Sequence, residues 1–227
     1  MKNKLFLVLL LCLVACNMSA FAQEIETPEQ ALEALIEGNT RFINETSMHP
    51  HEGMQRVKSL TDSQKPFAAV VACSDSRVPV ELLFDCGFGD IFVIRTAGNT
   101  VIDNSTLGSV DYAINHLGVK VVVILGHSHC GAITAVTELG KAHDDHDHHI
   151  SAEDDKYVTE LITSISEDIS EYIGKPELLD EAIAANTQVQ MDILLSIPHI
   201  VKSIEEGELA VVSANYDIEN GLVTFDE

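Results

Sequence analysis

Two short segments of the chain hold side chains that bind soft or borderline metal ions. One is Cys73-Ser74-Asp75-Ser76-Arg77 and the other is His127-Ser128-His129-Cys130-Gly131. Two thiolates and one imidazole form a donor set that suits Zn²⁺. Three protein ligands leave the fourth tetrahedral position to water or substrate, as in catalytic rather than structural zinc sites. His127 and Cys130 are three residues apart, so a single turn can aim both at one point. Asp75 has two options. It can fill the fourth position and close the site, or turn away and pair with Arg77, whose planar guanidinium grips a carboxylate like a fork. Each segment alone says little, since a buried thiol beside a surface ion pair gives the same letters. A Cys73–Cys130 disulfide is a competing reading of the same pair.

Both segments directly follow apolar runs, residues 67–72 and 119–126. Unbroken runs rich in small and β-branched residues are typical of strands covered on both faces, as in parallel sheets. Open α/β sheets build their sites outside the carboxyl ends of the strands. If the two runs are neighbouring parallel strands, Cys73, His127 and Cys130 meet there. Residues 91–94 and 209–213 read as further strands. Helical spacing recurs over 105–117, 131–141, 152–173, 177–195 and 197–206. Strands alternating with helices predict an α/β fold, a mostly parallel sheet flanked by helices. An N-terminal helical arm starts at Thr27-Pro28-Glu29-Gln30, with Thr as N-cap, Pro at N1 and Gln at N3. Its apolar positions, Ala31, Leu32, Leu35, Ile36, Phe42 and Ile43, continue past Gly38. Residues 47–65 read as a connection. Asn220-Gly221 predicts a hairpin between 214–219 and 222–225.

Hydrophobic residues make up 46% of the 227, which excludes a wholly disordered chain. Asp and Glu number 36 against 13 Lys and Arg, for a net charge of −23. Such a surface repels phosphate backbones and anionic lipid, so nucleic acid is not an expected partner. Lys2 and Lys4, the apolar run 5–15 and Ala20-Phe21-Ala22 before Gln23 predict a secretory signal peptide over residues 1–22. A single domain is expected over 23–227. The apolar run is shorter than the roughly 20 residues of a membrane span, and no later segment is long enough. Leu13-Val14-Ala15-Cys16 resembles a bacterial lipoprotein box, in which Cys16 becomes a lipid-anchored N-terminus. Either way the protein is expected to be exported, to the periplasm. Of the five cysteines, cleavage after Ala22 leaves Cys73, Cys86 and Cys130, an odd number that makes no tidy disulfide framework. Cys86 has no neighbouring His and reads as a buried structural thiol. His129 is expected to face solvent. Gly87-Phe88-Gly89 reads as a turn rather than a dinucleotide fingerprint. His143, His146, His148 and His149, among Asp144, Asp145 and Asp147, read as a weak metal-binding tract or, more simply, a solvated loop.

Four segments resemble the β-class carbonic anhydrases, in that family's order. They are Leu35-Ile36-Glu37-Gly38-Asn39-Thr40-Arg41-Phe42, Ala72-Cys73-Ser74-Asp75-Ser76-Arg77-Val78-Pro79, Ile94-Arg95-Thr96-Ala97-Gly98-Asn99 and Gly126-His127-Ser128-His129-Cys130-Gly131-Ala132. The resemblance runs over residues 27–225. It implies reversible hydration of carbon dioxide to bicarbonate and a proton by hydroxide on a Zn²⁺ ion held by Cys73, His127 and Cys130. It implies a catalytic dyad of Asp75 and Arg77, with Asp75 able to ligate the metal in a closed state. Gln64 matches a position that donates a hydrogen bond to substrate. Phe92, Ala97 and Tyr112 match positions lining a small apolar pocket for carbon dioxide, partly from a neighbouring subunit, in a homodimer or tetramer. Some bacterial members have an allosteric bicarbonate site that includes a Trp; this chain has no Trp, so the site is absent in that form. Most members are cytoplasmic or organellar, unlike the export expected here. Two rival functions share these residues. Hydrolysis of CS₂ or COS would use the same centre, and a zinc-storage protein would leave Arg77 beside Asp75 without a purpose. A thiol-redox role lacks a Cys-x-x-Cys.

Overall fold

The two apolar runs that precede the ligand-type residues are adjacent strands. In a computed structural model of the chain, which describes residues 24–139 and 155–226, β1 (Ala68–Cys73) and β3 (Val121–His127) are buried along their whole length. They pair in parallel, with Ala72 level with Leu125. β2 (Ile91–Thr96) lies parallel to β1 on its other side, and β4 (Ala210–Tyr216) lies parallel to β3. β5 (Val223–Phe225) closes the far edge antiparallel to β4. The order is β2-β1-β3-β4-β5. The chain steps outward from β1 to β2 and then returns across to β3, so the winding reverses between β1 and β3. Open α/β sheets bind ligands in the crevice at that reversal. The signal segment 1–22 with Cys16, the tract 143–149, and residues 140–141 and 152–154 of two expected helices lie outside the described residues.

Continuous apolar runs are explained by cores on both faces. Ala68, Val70, Ala72, Val121, Val123 and Leu125 pack against α1 (Pro28–Ile43), and against α3 (Val80–Leu83), which follows the short α2 (Met54–Ser59). The alternate residues, Ala69, Val71, Val122 and Ile124, pack against α4 (Asn104–Tyr112) and two later helices. Those come after α5 (Gly131–Thr137) and α6 (Lys156–Asp168), and are α7 (Leu179–Leu195) and α8 (Pro198–Glu205). Burying each Val or Ile contributes about 1.5–3 kcal/mol, on both sides of the sheet.

α1 begins with the expected cap. Thr27 Oγ1 accepts from Gln30 N at 3.3 Å, and Gln30 Oε1 accepts from Thr27 N at 3.2 Å. The helix passes through Gly38 because a Cβ there would run into the carbonyl of Phe84. The next residue, buried Asn39, donates to Leu83 O and Gly221 O and accepts from Val223 N, tying α1 to the C-terminal strands.

Other boundaries differ from the sequence reading. Residues 47–65 contain α2, which buries none of its residues and so shows no apolar period. The helical pattern 105–117 is α4 followed by a π-helical turn (Ala113–Leu117) that ends at Gly118, φ 69°. The pattern 152–173 is broken after Asp168 by a 3₁₀ turn (Ser170–Tyr172). The strand expected to begin at 209–213 runs on as Ala210–Tyr216, and the expected hairpin across Asn220-Gly221 forms, with arms shorter than 214–219 and 222–225. Ala214 and Tyr216 continue the buried alternation, so β4 is a single strand that pairs with β3 on one side and β5 on the other. No helix among the described residues is long and apolar enough to cross a membrane.

Candidate metal centre

Cys73 ends β1, His127 ends β3, and Cys130 is the residue before α5. Their ligand atoms all lie within 4.8 Å of one another, and all three residues are buried. Cys73 Sγ and Cys130 Sγ are 4.0 Å apart and both thiols are free, so the competing disulfide is not formed. The β3–α5 turn is made by His129, whose φ is 56°. Ser128 pins the turn to the end of β4: its N–H donates to Tyr216 O and its hydroxyl accepts from Ile218 N.

The donor set fits a metal ion on an observation independent of residue type. His127 is wholly buried. Its Nδ1 lies 2.9 Å from Ser128 O. A carbonyl only accepts, so Nδ1 carries the hydrogen and Nε2 carries a lone pair. Among the described residues, that Nε2 has no hydrogen-bond partner. An orphaned buried acceptor costs about 1–3 kcal/mol, and coordination removes the penalty. A ligating histidine whose other nitrogen donates to a carbonyl is the usual orientation device in metal sites.

The two thiols behave as a pair. Cys73 is pulled well below the ordinary thiol range by a hydrogen bond from Cys130, against the opposing effect of burial, with the N–H groups of Asp75 and Gly98 adding to the pull. Cys130 is pushed up by its interaction with Cys73 and by burial. Two adjacent buried thiolates repel, so the pair keeps one proton until a dication neutralises both.

Asp75 stands outside the three-ligand group. Arg77 Nε donates to Asp75 Oδ1 at 3.0 Å and Nη2 to Oδ2 at 2.7 Å, while the backbone N–H of Arg77 also reaches Oδ1 at 2.9 Å. Of its two options, Asp75 here takes the pairing with Arg77 rather than the ligand position. Arg77 pulls its carboxyl down to about 2, against a smaller opposing effect of burial. Arg77 Nη2 also donates to His129 O at 3.1 Å, joining the dyad to the second ligand segment. Arg95 is a residue that spacing did not single out. From β2 its Nε donates to Cys73 O at 3.0 Å and its Nη2 to Asp75 O. Its residue type and spacing do not separate it from any exposed strand arginine; the one signal was its place in the family-like segment 94–99.

The remaining expected residues divide into two groups. Ala97 belongs to the 3₁₀ turn Ala97–Asn99, whose Gly98 N–H donates to Cys73 Sγ at 3.4 Å. It therefore sits beside the centre. The Phe92 and Tyr112 rings meet at a tilt, centroids 6.2 Å apart, but Phe92 is level with Ala69, at the start of β1. Cys73 lies four residues along the strand from Ala69, roughly 13 Å. Gln64 is exposed and precedes β1 altogether. Within one chain these three lie towards the opposite end of the sheet from Cys73. The His129 side chain is 59% exposed and faces Glu219 at 3.5 Å, as expected for a solvent-facing residue. Cys86 is half-buried, and burial, followed by the charges of Asp90 and Asp85, pushes its thiol up to about 12.

A buried Cys-His-Cys group with a free imidazole lone pair, at the winding reversal of a parallel sheet, defines a zinc-binding α/β protein with three protein ligands. A family model described as carbonic anhydrase matches residues 68–223, and the chain belongs to that family, in its β class. A carbonic anhydrase of Mycolicibacterium smegmatis is 52% identical over 108 residues, 48% of this chain and 52% of that protein, so the match spans about half of each. Carbonic anhydrase 2 of Mycobacterium tuberculosis is 34% identical over 198 residues, covering 86% of this chain and 90% of its own. Among solved structures, tetrameric β-carbonic anhydrases from Sordaria macrospora share the fold with a TM-score of 0.59 at 26% identity, over 86% of this chain and 95% of that one.

Proposed function

We propose that this chain catalyses the reversible hydration of carbon dioxide to bicarbonate and a proton, with one Zn²⁺ per subunit. The observation that carries the reading is the His127 Nε2 lone pair, buried and unpartnered beside two sulfurs, with a carboxylate locked by arginine next to it. When bound, zinc supplies a Lewis acid that makes a water molecule acidic enough to act as a nucleophile near neutral pH. Cys73, His127 and Cys130 are the residues that would hold it. Asp75 accepts the hydrogen of the attacking group and turns its lone pair towards carbon dioxide, an orientation effect. Arg77 keeps Asp75 ionised and in place, which is why storage of zinc is the weaker reading: a metal store has no use for the fork.

Gln64, Phe92 and Tyr112 serve the centre from a second copy of the chain, with Ala97 contributing from the same copy. This reading is supported by their position at the wrong end of the sheet for their own centre, by the 45% exposure of Tyr112 and by the tetrameric relatives. We further read residues 1–22 as an export signal to the periplasm, with lipidation at Cys16 as its alternative. Protein purified from the periplasmic fraction is expected to carry stoichiometric zinc and to hydrate carbon dioxide in a stopped-flow assay. Several weakly exchanging zinc ions without turnover would replace the enzyme by a store.

A further inference from the structure

We infer that Asn186 and Gln190, buried on α7, are positioning residues for the metal centre: they hold residues 97–101 so that the Gly98 N–H donates to the Cys73 sulfur. The inference rests on the reading of Cys73 as a metal ligand. Asn186 and Gln190 are one helical turn apart, 1% and 0% exposed, on a buried face that also carries Ala182, Ile183, Thr187 and Leu194. Asn186 Nδ2 donates to Gly98 O at 2.9 Å, and Gln190 Oε1 accepts from Val101 N at 2.8 Å. Gln190 Nε2 makes longer contacts to Asn186 Oδ1, 3.4 Å, and Asp168 Oδ2, 3.5 Å, which orient both amides. The held segment takes a left-handed step at Gly98, φ 67°, and its N–H reaches Cys73 Sγ at 3.4 Å.

The physical consequence is electronic as well as geometric. A hydrogen bond into a ligand sulfur withdraws electron density from it and fixes where its lone pairs point. With an ion bound, the sulfur would donate less charge to it and leave it a stronger Lewis acid. Only proline lacks a backbone N–H, and its fixed negative φ cannot take the left-handed step at Gly98, φ 67°, so the aim of that N–H is tested through what holds the peptide. Two buried amides on α7 do that. A purely structural role, satisfying polar groups of a buried segment, would change stability and leave the sulfur–metal bond as it was.

Cobalt-substituted protein separates the two, because the energy of the near-ultraviolet sulfur-to-cobalt charge-transfer band reports the electron richness of the thiolates. The variants are Asn186→Leu and Gln190→Met, which keep size while removing the amide. In Asn186→Leu the band is expected to move to longer wavelength as the sulfur becomes more electron-rich, and zinc affinity, measured by competition with a chelator, to fall roughly 10–100-fold because the sulfur's lone pairs are no longer held in aim, a loss that outweighs the stronger donation. Gln190→Met is expected to shift both in the same direction by less. Band and affinity equal to the parent's in the variants, with only Tm lowered, would overturn the inference. Should Asn186→Leu fail to fold, Gln190→Met decides by the same two readouts. A parent protein without any sulfur-to-cobalt band is a separate failure, that of the metal centre itself.

Discussion

With Nδ1 committed to Ser128 O, the His127 imidazole is fixed as the tautomer that offers Nε2 to an ion. The thiol pair sets the pH dependence of that offer. Metal binding must expel the proton the pair retains, so zinc affinity is expected to fall roughly tenfold per pH unit for each proton released as the solution is acidified; isothermal titration in buffers of different ionisation enthalpy counts those protons. Asp75 behaves oppositely to a titrating switch. Its folded carboxyl is held at about 2 by Arg77, against about 3.9 in an unfolded chain. The ion pair therefore contributes to stability above about pH 4 and loses its contribution as the pH falls towards 2. The stability difference between the parent and Asp75→Asn should shrink over that window in acid unfolding curves, and Asp75 should add no limb to the activity profile near neutrality. The same variant is expected to keep its zinc, by metal analysis, and to lose most of its carbon dioxide hydration. Full activity would remove Asp75 from the mechanism.

At the scale of elements, the centre depends on how closely α7 approaches β3. A Cβ on Gly126 would collide with Thr187 Oγ1, so Gly126→Ala is expected to cost about 1–3 kcal/mol and to displace the neighbouring ligand His127. Thermal unfolding and zinc retention measure both effects, and Thr187→Ala added to Gly126→Ala should recover part of the loss. The strands that carry the ligands were readable because burial on both faces forces an unbroken apolar run, as in Val121-Val122-Val123-Ile124. α1 was readable because its cap and apolar spacing are local. α2 was not, since it packs no residue into a core and so has no period to read. The terminal hairpin was readable because the turn at Asn220-Gly221 is a local signal, whereas the pairing of β4 with β3 on its other side is a property of the sheet.

The molecule as a whole carries a strong negative charge and an aromatic cluster at the edge strand β2, where exposed Tyr112 and His116 meet half-buried Phe92. If a second copy covers that cluster and completes the centre, Tyr112→Asp should separate the subunits in sedimentation and depress carbon dioxide hydration while zinc content stays near one per chain. Loss of zinc instead would mean the tyrosine acts within its own subunit. Donor types, strand and helix periods, caps and turn residues are properties of a few consecutive residues, and from them the sequence alone determined the α/β class, the metal-type ligands and the run of chain before each. Which groups face each other across the sheet is not local. The choice of Asp75 for Arg77, the reach of Arg95 to the backbone of Cys73 and Asp75, the Gly98 N–H on the Cys73 sulfur and the distance of Gln64 from its own centre were decided only when β1, β2, β3 and α7 packed, because hydrogen-bond partners are selected by three-dimensional proximity that no spacing along the chain encodes.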